Sequence, residues 1–323
     1  MKLKYSLLAC IIVLMFSCSC GRIPASQPGK TRTLKAVKKL KVVTTILPLY
    51  DIAVNVGGSR AEVHNLLPPG ASPHTFEPTP DDLKLLEESD LVIMLGLGLD
   101  DWMDKMIASS GKEKKVIIAS EGVETIKMES GEESESHVDA DKDGHHHEEG
   151  LDPHVWMDPL RMIVMAENVK SAFIKEMPKK KDYFEKNFKA YSESLKKLDG
   201  DFTRELSRFK KKDFITFHSF MNYLAGRYGL TPAGVIVDSP GKEPDSARVM
   251  NIVKVLKEKN VKVVFVEPQF SPKASMVIAQ EIGGEVLTVD PLGSLDDSAR
   301  DTYEKNMREN LKVLIQAFSH EEK

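Results

Sequence analysis

Three histidines stand in short, distinctive settings along this chain. His74 lies in PHTFEPTP (Pro73 to Pro80), His154 in DPHVWMDP (Asp152 to Pro159) and His218 in FHSFMNYLAGRYGL (Phe217 to Leu230). Asp290 follows in TVDPLG (Thr288 to Gly293), and a stretch from Glu132 to Glu149 is rich in His, Asp and Glu. Imidazoles and carboxylates drawn from four distant places suit a borderline divalent cation such as zinc. All three cysteines, Cys10, Cys18 and Cys20, fall near the N-terminus. The folded part therefore offers no thiolate ligand and no disulfide.

The elements that must position these groups alternate between strand-like and helix-like runs, which predicts α/β architecture with mainly parallel sheets. Leu40 to Pro48, Ala61 to Pro69, Leu91 to Gly96 and Lys114 to Ser120 read as extended runs of a first lobe. Thr79-Pro80-Asp81-Asp82 opens a helix, because threonine caps, proline suits the first turn and the acids complement the dipole. The middle is helical, ending in an amphipathic stretch from Lys181 to Lys210 that can act as a rigid spine. A second lobe repeats the alternation: strands at Asp213 to His218, Gly234 to Ser239, Val261 to Pro268 and Glu285 to Pro291, then a last helix from about Ser298 to Phe318.

On this map His218 and Asp290 fall at the carboxyl ends of strands, His74 follows a strand, and His154 lies in a loop before the helical middle. Open parallel sheets bind ligands beyond the carboxyl ends of their strands. Four candidates split between two lobes point to a site in the cleft. Glu267 in VEPQF, ending the strand adjacent to that of Asp290, competes as a ligand or as a hydrogen-bond partner of one. Glu77 can fix the tautomer of a ligand imidazole or cap a turn. His64 and His320 read as structural or solvated.

The domain plan is a signal peptide with lipobox over 1–19, a flexible tether over 20–39, an N-terminal α/β lobe over 40–180, a linking helix over 181–210 and a C-terminal α/β lobe over 211–323. Lys2 and Lys4 precede an apolar run, Leu7 to Phe16, too short for a permanent membrane span. It ends in FSCSCG, where Cys18 or Cys20 suits lipidation. The protein is expected to be exported and held at the membrane by that anchor, facing the periplasm or the outer surface of the cytoplasmic membrane. A net charge of −4 gives no reason to expect nucleic acid. Within the N-terminal lobe, 129–150 lacks the apolar residues needed to pack and reads as disordered. It is either an acidic solvated loop or an auxiliary zinc-capture loop using His137, His145, His146 and His147. Asp139, Asp141 and Asp143 resemble a calcium loop, but Gly150 stands where the bidentate glutamate belongs.

At these motifs the sequence resembles the metal-specific solute-binding proteins of bacterial ABC importers, cluster A-I. PHTFEPTP and DPHVWMDP carry the resemblance as a pair, with RYGL, VEPQFS and DPLG in order, over nearly the whole chain after the tether. The resemblance implies two α/β lobes joined by one long rigid helix, and a monomer that binds zinc or manganese between them and hands it to a membrane permease. It implies His74, His154 and His218 as ligands, with Asp290 a fourth. Manganese-type members resemble this chain but for a glutamate at the place of His218. A third imidazole favours Zn2+ over the alternative Mn2+.

The expected function is therefore carriage without chemistry: metal enters, the lobes close by a small tilt, and the loaded form docks on the permease. Affinity should fall as pH drops through the histidine range. The rivals are a manganese carrier, a zinc hydrolase with three histidines and an open position, a metal-stabilised surface adhesin, and a haem or siderophore carrier. The absence of H-E-x-x-H argues against the hydrolase.

Overall fold

In a computed structural model of the chain, the described residues are 38–111, 113–127, 150–238 and 240–321. The candidate lipidation cysteines Cys18 and Cys20, and the loop histidines His137, His145, His146 and His147, lie outside them. From Lys38 onward the chain forms one compact unit.

Two four-stranded sheets organise it. The first holds β1 (Leu40–Thr44), β2 (Ala61–Asn65), β3 (Leu91–Met94) and β4 (Val116–Ile118) in the order β2-β1-β3-β4. The second holds β5 (Asp213–Thr216), β6 (Thr231–Val235), β7 (Val263–Val266) and β8 (Glu285–Thr288) in the order β6-β5-β7-β8. Every strand pair is parallel. The buried strands are continuous apolar runs, such as Val263–Val266, because helices cover both faces. Each sheet reverses direction beside its first strand, so each has a crevice at the carboxyl ends, β1/β3 in one lobe and β5/β7 in the other.

The first crevice is closed by the chain itself. Buried Asp100 accepts from the Thr45 hydroxyl and from the amides of Leu95 and Gly96. In the second crevice stand His218, two residues beyond β5, and Glu267, immediately beyond β7. The two crevices thus begin alike and differ in what fills them.

The helices are α1 (Leu47–Gly57), α2 (Pro80–Glu88), α3 (Trp102–Ser109), α4 (Pro159–Glu176), α5 (Lys181–Leu206), α6 (Asn222–Tyr228), α7 (Ser246–Glu258), α8 (Lys273–Ile282) and α9 (Tyr303–Glu321). Thr79 and Asp82 form a reciprocal capping box at the start of α2, with Pro80 in its first turn. Asp158 caps α4 and Asp245 caps α7 through their side chains. The spine α5 runs 26 residues, about 39 Å at 1.5 Å per residue. Gly200 lies within it and does not break it. One hydrophobic core passes through both sheets by way of this spine: Val42 and Ile93 of the first lobe and Phe214 and Phe265 of the second join Phe184, Leu198 and Phe202 of α5. A core shared in this way limits how far the lobes can move apart.

Three elements depart from the sequence reading. Helix α1 begins at Leu47, inside the run read as extended to Pro48; Leu49, Ile52, Ala53 and Val56 recur at helical spacing and are buried. Strand β6 starts at Thr231 rather than Gly234; Pro232 is tolerated because β6 is an edge strand. An extra residue in β6 shifts the register between the Phe214–Pro232 and Thr216–Val235 pairs, and beyond it the amides of Ile236 and Val237 still bond to the carbonyls of Thr216 and Phe217. Helix α9 starts at Tyr303, not near Ser298.

Candidate metal centre

His74 comes from the loop between β2 and α2, held by Pro73 on one side and the capped start of α2 on the other. His154 precedes a short 3-10 turn, Val155–Met157, which leads into α4 through Asp158. His218 comes from the bend after β5. These three are brought together. His154 Nε2 is 3.3 Å from His74 Nε2 and 3.3 Å from His218 Nε2. One ligand nitrogen from each of the three lies within 4.8 Å of the others. Nitrogens about 2.0–2.1 Å from a tetrahedral zinc stand roughly 3.3 Å apart along each edge. The two measured separations match that edge.

Each of two imidazoles is held from behind. His154 Nδ1 donates to Asp152 Oδ1 at 2.7 Å, and the same oxygen accepts the His154 amide at 2.9 Å. Asp152 is sealed from solvent and anchored in turn: Asn222 Nδ2 donates to its Oδ2, and the Tyr223 hydroxyl donates to its carbonyl. His218 Nδ1 lies 2.7 Å from Glu267 Oε2. Such partners fix ring orientation and leave the far nitrogen for a ligand. The role of Asp152 was not seen in the sequence; its place two residues before His154 in DPH was the available signal.

The electrostatics suit a cation. Burial drives His74, although it is partly exposed, down to about 2, with the other two imidazoles adding to the effect. Burial likewise lowers His218 to about 4, against the pull of Asp152. Both rings are therefore neutral and hold free lone pairs at ordinary pH. Glu267 is pushed well above the usual carboxylate range by burial, opposed by His154 and reinforced by Asp290. The space between the rings amounts to ≈ 10 Å³, about what one water or one ion needs.

Asp290 is not brought into the cluster of three. Its Oδ1 accepts from the amides of Leu292 and Gly293, both at 3.0 Å, and its own amide donates to Asn310 Oδ1. Gly293 adopts φ +80°, and a Cβ there would meet Arg300 O at 2.6 Å, so this tight turn needs glycine. Glu77 is exposed, and among the described residues no hydrogen bond joins it to a site imidazole. His64 and His320 are half-exposed beside Glu62 and Glu285.

Trp156 braces the loop that carries His154. Its ring lies 5.2 Å from the His154 ring, its Nε1 donates to Pro291 O at 2.8 Å, and its carbonyl accepts from the Tyr303 hydroxyl at 2.6 Å. The His154 loop is thereby tied to the loop after β8 and to the start of α9.

Two parallel-sheet lobes, a long helix between them and a histidine cluster at their junction define a class of binding protein. The family described as ZnuA, "Zinc-uptake complex component A periplasmic", matches residues 42–317, and the chain belongs to it. It is 33% identical over 286 residues to the zinc-binding lipoprotein AdcA of Streptococcus pneumoniae, covering 88% of this chain and 56% of that protein. The chain thus spans little more than half the length of that relative. It is 32% identical over 280 residues to the high-affinity zinc uptake system protein ZnuA of Bacillus subtilis, covering 85% of this chain and 86% of that one. Among solved structures, the Zn(II)-bound ZnuA-like domain of Streptococcus pneumoniae AdcA superposes with a TM-score of 0.69 at 31% identity, covering 87% of this chain and 99% of that one. Among the described residues no helix is long and apolar enough to cross a membrane.

Proposed function

We propose that the chain binds one zinc ion between its lobes, outside the cytoplasm, and delivers it to the permease of an ABC importer. The observation that carries this reading is the pair of 3.3 Å separations among three imidazole nitrogens. His74, His154 and His218 supply Nε2 ligands. Asp152 and Glu267 hold two of the rings by Nδ1. Bound zinc would draw Glu267 into its anionic form, releasing a proton on binding. The fourth position falls to an oxygen. Glu267 lines the space between the rings, while Asp290 does not line it and holds the amides of Leu292 and Gly293 through its Oδ1. Three imidazoles favour zinc over manganese, which takes more oxygen ligation.

Carriage rather than catalysis fits the room available. A zinc hydrolase keeps a coordination position open for water and substrate, whereas the space among the three imidazoles suits one water or ion and is also lined by Glu267, an oxygen donor for the fourth position. The relatives named for zinc binding and zinc uptake support the same reading. Export, an anchor on Cys18 or Cys20, and action as a monomer complete it. The shared core favours a small tilt of the lobes on binding. Titration of the chain with zinc against a competing chelator tests the proposal: one tight site is expected, lost in His154→Ala.

A further inference from the structure

Beside the space between the imidazoles lies a larger cavity of ≈ 160 Å³. It is framed by the loop after β2 (Asn65 to Ala71) and the loop after β8 (Leu292 to Leu295), one from each lobe. Gln269 and Leu292 line both spaces. Two buried oxygens at this junction have no hydrogen-bond partner among the described residues: Ser72 Oγ, on the wall of the smaller space, and Gln269 Oε1.

We propose that this cavity is the passage by which a partly hydrated divalent ion reaches and leaves the three imidazoles, with Gln269 at its inner end. The inference rests on the metal-carrier reading and adds its route. At about 10–15 Å³ of cavity volume per water, the cavity has room for an ion with part of its hydration shell, whereas the inner space does not. An ion moving inward must shed waters, and those still bound need acceptors for their protons. Buried polar oxygens ordinarily have partners; Ser72 Oγ and Gln269 Oε1 are free to accept from such waters. Among the described residues no charged side chain lines the larger cavity, whose walls include Leu66, Pro68, Pro69 and Leu295. An ion is therefore not trapped there, which suits a passage and not a second binding site.

The test separates rates from affinity. Zinc uptake by the chain is followed by stopped-flow tryptophan fluorescence, and release by transfer to an excess of a chromophoric chelator. Leu295, 43% exposed at the cavity rim, tolerates a larger side chain without disturbing the core. Leu295→Trp should slow uptake and release together by about tenfold while Kd stays within about twofold. Gln269→Leu should slow both in the same direction. Met250→Trp, at a residue that lines neither cavity, should change nothing. Release within about twofold of the parent in both Leu295→Trp and Gln269→Leu would overturn the passage. Faster release with unchanged uptake in Gln269→Leu would also overturn it, showing that Gln269 holds the bound ion. If the parent binds no zinc, the carrier reading fails first and the passage with it.

Discussion

His218 Nδ1 and Glu267 Oε2 lie 2.7 Å apart, and both side chains are nearly sealed from solvent. The pair bridges the carboxyl ends of β5 and β7, where a parallel sheet of this order leaves its crevice. Burial holds the Glu267 carboxyl well above its usual range, so in the metal-free protein it is close to a neutral group. Glu267→Gln should accordingly leave the melting temperature of the metal-free chain nearly unchanged. The same variant should weaken zinc binding by about 10- to 100-fold. Paired thermal melts and chelator-competition titrations check both halves.

Asp152 plays the corresponding part for His154, with the added work of joining Asn222 and Tyr223 to the site loop. Asp152→Asn keeps an acceptor but loses the charge, and should reduce zinc affinity by about tenfold or more. Asp152→Ala also leaves the His154 amide and Asn222 without a partner. It should destabilise the metal-free fold by about 1–3 kcal/mol, measured by urea unfolding.

The three histidines were legible because each sits in a local motif with proline or a strand end beside it. Their partners were less so. Asp152 and Glu267 act through hydrogen bonds that exist only once the turn at DPH and the β5/β7 pairing have formed. Asp290 shows the opposite difficulty. An aspartate before proline in a strand-end turn is the same in sequence whether it faces the cleft or folds back, and here its Oδ1 folds back onto Leu292 and Gly293. The two-lobed fold followed from alternating buried strands and helices. Helix α1 did not, since its first residues, Leu47 and Pro48, continue the apolar run of β1 without a turn signal between them.

Asp51 gives the fold a pH dependence away from the site. It is buried on α1, accepts from the Tyr191 hydroxyl of the spine at 2.8 Å, and is raised by burial from 3.8 to about 6. A carboxyl raised in the fold contributes stability below its unfolded value of 3.8, and that contribution is lost as pH rises through about 6. The gap is worth about 3 kcal/mol. Asp51→Asn should therefore gain on the parent by up to about that amount between pH 4 and pH 7. Urea midpoints for both proteins at four pH values in that window check it; a constant difference would count against the buried-acid account.

Tyr303 and Trp156 tie α9 to the His154 loop through a 2.6 Å hydrogen bond. Tyr303→Phe leaves the buried Trp156 carbonyl without this donor and should cost about 1–3 kcal/mol. Because Trp156 lies against His154, the same variant should alter the change in tryptophan fluorescence on zinc addition, a readout that loss of stability alone does not move.

The central claim is that three imidazoles form one zinc site between the lobes. Competitive titration of zinc against manganese at neutral pH, on the parent chain and on His218→Glu, tests it most directly. The account predicts one tight zinc per parent chain, weak manganese binding, and a loss of zinc affinity with a gain for manganese in the variant. Preference of the parent for manganese, or zinc binding indifferent to His218, would contradict it.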